Sequence, residues 1–234
     1  MPTSPAIREA VRFIRTPKTD LRASLLGDDA TQKAPSTVDA LALHSRRLFA
    51  KYESALLSRP ILTKAITSAV LYGAGDLIAQ LIAARSAVAA TSAPASAEID
   101  PVRTLRAVVY GGAFYAPLAH AHYEFLDWLV VRRWRVSLNQ VPLVKLVIEQ
   151  FVYWSYLSNA YYHFVMGALQ GQTPQACWDG VVATLWTTVR AQWVFWIPVQ
   201  LLNFYLVPLR HQLNCVLVVS LIWTTFLSLA FPPE

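Results

Sequence analysis

Residues 213–231 read LNCVLVVSLIWTTFLSLAF and include no charged side chain. At about 1.5 Å per residue, a helix of this length extends through nearly the whole of a hydrocarbon core about 30 Å thick. Long apolar runs of this kind are typical of transmembrane helices, because polar groups exposed to lipid cost free energy. The segment therefore predicts an integral membrane protein.

The composition of the chain agrees with this prediction. Of the 234 residues, 55% are apolar and only 15% are charged, whereas soluble domains carry about 25% charged residues. That is too little charge to cover a water-facing surface of this size. The 8 Trp and 10 Tyr side chains also suit the membrane–water interface. We expect an all-α integral membrane helix bundle rather than a soluble enzyme.

Three further apolar runs precede the C-terminal one, at residues 61–84, about 104–126 and about 142–169. Residues 191–209 also lack charge, but two prolines interrupt them. The sequence therefore predicts four transmembrane helices plus one kinked or interfacial helix at 191–209, with a fifth span as the alternative.

The N-terminal part of the chain differs in character from the rest. Residues 1–45 are polar, and we assign them to a disordered or targeting segment. This leaves residues 46–231 as the membrane helix bundle domain.

Positive charge is concentrated on one side of this predicted topology. Residues 1–60 hold 10 of the 20 Lys and Arg, and the connector 127–140 with Lys145 brings the total to 14. Basic loops favour the inner side of a membrane. With four spans, both termini are expected on that side. A nucleic-acid partner is not expected, because no basic face with interleaved aromatic residues is present.

Residues 7–15 have the pattern of a basic amphipathic helix. Its apolar face comprises Ile7, Val11 and Ile14, and its basic face comprises Arg8, Arg12 and Arg15. The pattern suits a mitochondrial targeting helix. An ordinary solvated or membrane-surface tail is the alternative.

Asp76 and Gln80 lie inside the first apolar run, one helical turn apart and so on one face. Ala65, Ala69 and Gly73 continue this face with small side chains, which let helices approach closely. A carboxylate at membrane depth must face the bundle interior, water or a partner. The pair either lines a polar pathway or forms a hydrogen-bonded clasp between helices.

Glu149 and Gln150 in the third run raise the same two alternatives. Arg103, Arg106 or Lys64 could pair with one of the acidic residues, and the sequence does not distinguish them.

No catalytic or metal-binding pattern accompanies these residues. His120 and His122 are two positions apart, so on a helix they point in different directions. We interpret them as polar groups at the end of a span. Cys177 and Cys215 belong to no Cys pair or Cys/His cluster. We therefore expect no metal, no cofactor and no enzymatic activity.

An ordered series of motif residues extends over about residues 46–229. It comprises Pro60, Gly75, Asp76, Gln80, Arg106, Pro117, Trp196, Pro198, Gln200, Asn203, Phe204, Pro208 and Trp223. In this series the chain resembles the family of the twenty-two-kilodalton peroxisomal membrane protein and the mitochondrial inner-membrane protein Mpv-seventeen. It departs from the family pattern at Ala116, Glu149 and Ile197, which leaves the subfamily open.

The resemblance implies four spans, no established enzymatic activity, and pore-forming or membrane-homeostasis proteins of organelle membranes. We expect a channel-like permeability or homeostasis element of the mitochondrial inner membrane. The alternatives are a peroxisomal membrane protein, or a non-conducting membrane scaffold or assembly factor. The expected partner is the lipid bilayer, a homo-oligomer is compatible with the sequence, and the solute is not defined.

Overall fold

The structure is a computed structural model that describes residues 37–91 and 99–230, and all regular structure within these residues is helical. This confirms the all-α prediction. The α-helices are α1 (Thr37–Ser58), α2 (Pro60–Thr91), α3 (Pro101–Val109), α4 (Ala116–Asp127), α5 (Val141–Val147), α6 (Trp154–Leu169), α7 (Pro174–Leu206) and α8 (Leu209–Ala230).

Three π-helical turns, Tyr110–Tyr115, Trp128–Arg133 and Ile148–Val152, extend or join these helices. The first joins α3 to α4 and directly precedes Pro117, which lies in the first turn of α4. A proline inside a helix lacks an N–H and clashes with the preceding turn, and a wider π-turn relieves that clash. Segments 101–133 and 141–169 thus each cross the bundle as one nearly continuous unit.

Contacts between side chains establish that neighbouring segments run antiparallel. Along α2 and segment 101–133, Lys64 meets His120, whereas Gln80 meets Asp100. The same inversion relates segment 101–133 to segment 141–169, segment 141–169 to α7, and α7 to α8. The described bundle therefore contains five helical segments that alternate in direction.

The small residues of α2 are the basis of its close packing. A Cβ atom added to Gly112 would lie 3.0 Å from the Cβ of Ala69 and 3.3 Å from the carbonyl oxygen of Ala65. A Cβ on Gly111 would lie 2.8 Å from the side chain of Tyr72. The predicted small-residue face of α2 is confirmed, and its partner is segment 101–133.

The four-span count is not confirmed. By length and composition, one helix among the described residues, Pro60–Arg85 within α2, could cross a membrane, and Leu209–Trp223 is a shorter apolar helix. Residues 191–206 are not a separate element, because α7 continues without interruption through Pro198. The apolar side chain of Val194, four residues earlier, is 82% exposed. The carbonyl that Pro198 leaves without a donor therefore lies on the outer face of the bundle.

At the N-terminus, α1 begins at Thr37, inside the predicted segment 1–45. The proposed amphipathic helix at residues 7–15 lies outside the described residues. From Leu48 onward the described helices belong to one compact unit.

An apolar core fills the end of this unit at which α2 and α8 begin. Its fully buried members include Leu126, Val130 and Leu213, with Phe204 packed among them. The outer surface is also apolar, with Val70 63% exposed as one example. Extended exposed apolar surface marks a contact with lipid or another protein, as expected of a membrane bundle.

Candidate functional site

A cavity of about 1020 Å³ lies among α2, segment 101–133, segment 141–169, α7 and α8. Pockets for drug-sized ligands occupy about 300–1,000 Å³, so the cavity is large enough for an organic solute. Asp76 and Arg103 belong to its lining at one end, and Glu149, Gln150 and Gln200 at the other. The structure thus brings three of the four predicted interior polar residues to one cavity.

Asp76 is held by a cation and two neutral donors. Arg103 Nε donates to Asp76 Oδ1 at 2.8 Å, and the hydroxyl of Thr104 donates to Oδ2 at 2.8 Å. The amide of Gln80 donates to Oδ2 at 2.7 Å. The side chain of Asp76 is 11% exposed, whereas that of Arg103 is 45% exposed. Asp76 is therefore both a clasp between helices and part of the cavity wall.

Gln80, the fourth predicted residue, fixes the loop that precedes α3. Its side-chain oxygen accepts from the backbone N–H of Asp100 at 2.7 Å, and its amide donates to the carbonyl of Asp100 at 3.1 Å. Asp100 in turn caps α3, because its carboxylate accepts from the backbone N–H groups of Val102 and Arg103. Gln80 thus supports the end of the site without lining the cavity.

Of the three candidate cations, Arg103 is the partner of Asp76. Arg106 donates instead to the carbonyl oxygen of Leu169 at 3.2 Å. The buried ammonium of Lys64 lies 3.0 Å from His120 Nδ1. Glu149 is thus bonded to none of the three.

Glu149 is fully buried and lies in the π-turn Ile148–Val152. The amide of Gln200 donates to its Oε1 at 2.5 Å, and the amide of Gln150 donates to Oε2 at 3.3 Å. His122 Nε2 lies 3.2 Å from Oε1. A buried carboxylate is retained only where such donors surround it. π-turns of this kind are frequent at functional sites.

His122 is the site residue that sequence reasoning misplaced. It is 4% exposed, and its ring stacks on that of Trp154 with centroids 3.7 Å apart. Its Nδ1 lies 2.7 Å from the hydroxyl of Tyr153. Both ring nitrogens therefore have a hydrogen-bonding partner, the Tyr153 hydroxyl at Nδ1 and the Glu149 carboxylate at Nε2. The interpretation of His122 as a polar group at a span end is wrong, because its neighbours bury it in the bundle interior.

Gln200 connects Glu149 to a wider polar network. The same amide also donates to the Tyr123 hydroxyl at 2.9 Å, and its oxygen accepts from Asn203 Nδ2 at 2.8 Å. All these groups are buried. Gln200 and Asn203 entered the sequence argument as motif residues only. Their polarity within an uncharged run was the signal that could have placed them in the site.

Four tyrosines form an aromatic wall between the two ends of the cavity. Tyr72 packs against Tyr110 and Tyr115 with ring centroids 5.4 and 5.3 Å apart. Tyr110 packs edge-on against Tyr162 at 5.2 Å. All four line the cavity.

The remaining motif residues shape the bundle rather than the site. Pro60 begins α2, Pro208 separates α7 from α8, and Phe204 belongs to the apolar core. Trp196 packs against Trp223 with centroids 6.2 Å apart, and both rings line the cavity. Gly75 is buried within α2.

A helical bundle with an apolar outer surface and an interior cavity that contains ionisable side chains defines a helical membrane protein. The model of the Mpv17 / PMP22 family matches residues 167–228. Protein SYM1 of Candida glabrata is 32% identical over 197 residues, which cover 78% of this chain and 89% of that relative. Protein SYM1 of Saccharomyces cerevisiae is 30% identical over 182 residues, with 78% and 89% covered.

Protein SYM1 of Candida albicans is 29% identical over 190 residues, which cover 77% of this chain and 95% of that relative. No solved structure matches the chain significantly. The chain belongs to the Mpv17 / PMP22 family, as its motif residues predicted.

Proposed function

We propose that the protein is a non-enzymatic, channel-like permeability element of the mitochondrial inner membrane. The observation that carries the proposal is the cavity with ionisable side chains, which extends from the Asp76–Arg103 pair to the buried Glu149 network inside an otherwise apolar bundle. Ionisable residues inside membrane proteins usually serve a solute or proton pathway, because burying them costs free energy that packing alone does not require.

The cavity has exposed lining residues towards one end and packed apolar side chains beyond the other. Arg103 and Gln170 belong to its lining and are exposed. At the opposite end, Leu126, Val130 and Leu213 are fully buried and do not belong to the lining of the cavity. A packed apolar constriction of this kind blocks ions by excluding water. The arrangement corresponds to a closed pathway with a vestibule on one side.

We propose five membrane crossings rather than the four expected from the sequence. Each of the five antiparallel segments in the described bundle has at least 22 residues, and at about 1.5 Å per residue such a helix is about 33 Å long. That length matches a hydrocarbon core of about 30 Å.

The proposed location rests on the sequence of the N-terminal segment. The basic and apolar faces of residues 7–15 suit a mitochondrial address. A peroxisomal membrane is the alternative. Deletion of residues 2–22 is expected to abolish co-localisation with a mitochondrial marker, and unchanged localisation would count for the peroxisomal alternative.

A non-conducting scaffold is the second candidate, and one observation favours it. Each carboxylate oxygen of Asp76 has a hydrogen-bonding partner from another side chain of the protein, and the same is true of Glu149. Buried polar networks of this kind can serve only to fix how helices pack.

Conductance of the purified full chain in planar bilayers separates the two candidates. A channel is expected to give discrete current steps, and in a salt gradient Glu149→Gln should shift the reversal potential towards lower cation selectivity. Glu124→Gln is the matched control, because Glu124 is exposed and does not line the cavity. Absence of current steps from correctly folded protein would favour the scaffold.

A further inference from the structure

We infer that the cavity binds a small organic cation whose ammonium or guanidinium group bonds to Glu149. This inference deepens the proposed function, because it names the class of solute that the same cavity would take. It rests on the charge of the lining, on unpartnered acceptors elsewhere in the lining and on the aromatic wall.

The fixed charge of the lining favours a cation. Among the residues that the structure describes, the acidic members of the lining are Asp76 and Glu149, and Arg103 is its only Lys or Arg. Arg103 is already bonded to Asp76, and the two charges at that end of the cavity therefore cancel. The charge that remains is the carboxylate of Glu149 at the other end.

No Lys or Arg side chain in the described part of the chain bonds to Glu149. Its hydrogen-bonding neighbours are the uncharged amides of Gln150 and Gln200 and the imidazole ring of His122. The nearby buried cation Lys145 is bonded to Asp127 at 2.8 Å. A buried carboxylate without a fixed cation attracts a mobile one strongly, because the interior screens charge less than water does.

Acceptors without a hydrogen-bond partner also belong to the cavity lining. Asn159 is 6% exposed, and its side-chain oxygen has no hydrogen-bond partner in the described part of the chain. The side-chain oxygen of Gln192 likewise has none. Both residues line the cavity. Unpartnered buried acceptors favour a ligand that carries several N–H donors, as ammonium and guanidinium groups do.

The aromatic wall suits the same class of ligand. The ring faces of Tyr72, Tyr110, Tyr115 and Tyr162 carry partial negative charge, and a cation placed over such a face is attracted to it. An organic cation would pass this wall between the Arg103 end and Glu149. An anion would meet the Glu149 carboxylate, which would repel it.

Binding of four matched probes to the full chain in lipid nanodiscs tests the inference by calorimetry. The probes are benzylammonium, benzyltrimethylammonium, benzyl alcohol and benzoate. Benzylammonium is expected to bind most tightly, because it combines positive charge, N–H donors and a ring. Equal or tighter binding of any of the other three would overturn the inference.

Two variants locate the binding site. Glu149→Gln should weaken benzylammonium binding by about tenfold or more, because a charge-assisted hydrogen bond is replaced by a neutral one. Tyr162→Leu removes a ring of the aromatic wall. Because the side chain of Tyr162 is 45% exposed, this variant tests the same cavity if Glu149→Gln does not fold. Glu124→Gln should bind as the unmodified protein does. Unchanged binding in Glu149→Gln, or in Tyr162→Leu where the former does not fold, would overturn the inference.

This test is independent of conductance. A protein that conducts but does not prefer benzylammonium would overturn the inference and leave the channel proposal in place. A protein that binds benzylammonium at Glu149 but gives no current steps would overturn the channel proposal alone.

Discussion

Asp76 is both a structural and a cavity residue, because it bonds to Arg103, Gln80 and Thr104 while it lines one end of the cavity. The sequence left a pathway and a clasp as alternatives, and the geometry makes them compatible. The carboxylate neutralises Arg103 and so prevents an unpaired positive charge at the entrance.

Replacement of Asp76 by Asn should therefore affect stability and selectivity together. The free energy of unfolding should fall by about 1–2 kcal/mol. This loss lies between the contribution of an exposed ion pair and the cost of breaking a buried one, because the side chain of Arg103 is 45% exposed. The unpaired guanidinium should also lower cation permeability. Thermal unfolding in detergent and the reversal potential in a salt gradient measure the two effects.

Asp179→Asn is the matched control, because Asp179 is exposed and does not line the cavity. It should change neither measurement. An Asp76→Asn variant with unchanged stability would contradict the clasp, and one with unchanged selectivity would contradict the role at the entrance.

The polar residues of the site could be found from the sequence one by one, but their contacts could not. Glu149 and Asp76 stood out because a carboxylate within an apolar run requires an explanation. His122 and Gln200 meet Glu149 across sequence separations of 27 and 51 residues. No local pattern encodes such a contact, since it depends on the angles at which three helical segments cross.

Some features of the helices could likewise be predicted from the sequence, and others could not. The small-residue face of α2 was predictable, because spacing alone places Ala65, Ala69 and Gly73 together. The continuity of α7 was not, because a proline normally ends or kinks a helix. Pro198 is tolerated where the bundle satisfies or exposes the affected backbone groups. The surroundings of Pro198 are set by the packing of the helices and are not evident from the local sequence.

Packing of α2 against segment 101–133 should be sensitive to a single methyl group at Gly111. A Cβ there would lie 2.8 Å from Cβ, Cγ and Cδ2 of Tyr72. The Cβ of Tyr72 is fixed by its backbone and cannot rotate away. Gly111→Ala should therefore destabilise the bundle by about 1–3 kcal/mol, as overpacked cores do, and thermal unfolding of the purified protein measures it.

Gly180→Ala provides the control at a helical glycine with more room. Its nearest neighbour would be His163 Nδ1 at 3.3 Å, a ring atom that can shift. Alanine favours a helix over glycine by about 1 kcal/mol, so this variant should be neutral or stabilising. Equal effects of the two substitutions would contradict the close approach at Gly111.

At the scale of the whole molecule, the five-span and four-span topologies place the end of α7 on opposite sides of the membrane. A carboxylate oxygen of Glu53 in α1 lies 2.8 Å from His211 Nε2, and the other lies 3.6 Å from Arg210 Nη2. The start of α8 therefore lies at the end of the bundle where α2 begins. The connector 134–140 lies at that end too, because segment 101–133 runs antiparallel to α2. The turn 170–173 lies at the opposite end.

A cysteine at position 208 should therefore be accessible from the same side as one at position 137. In a four-span protein with 191–209 at the interface, position 208 would instead share a side with position 172. We expect Pro208→Cys and Ser137→Cys to react with a membrane-impermeant maleimide in sealed vesicles of the same orientation, either inside-out or right-side-out. Gln172→Cys should react in vesicles of the opposite orientation. All three positions are exposed.

The labelling requires a background in which Cys177 and Cys215 are replaced by serine, since both thiols are free. Ser137→Cys and Gln172→Cys fix the two sides independently of the disputed segment, because both topologies place them on opposite faces. Labelling of Pro208→Cys together with Gln172→Cys would leave four crossings and return the C-terminus to the side of α1. Labelling together with Ser137→Cys would require α7 to cross, since its first residue follows directly on the turn that contains Gln172.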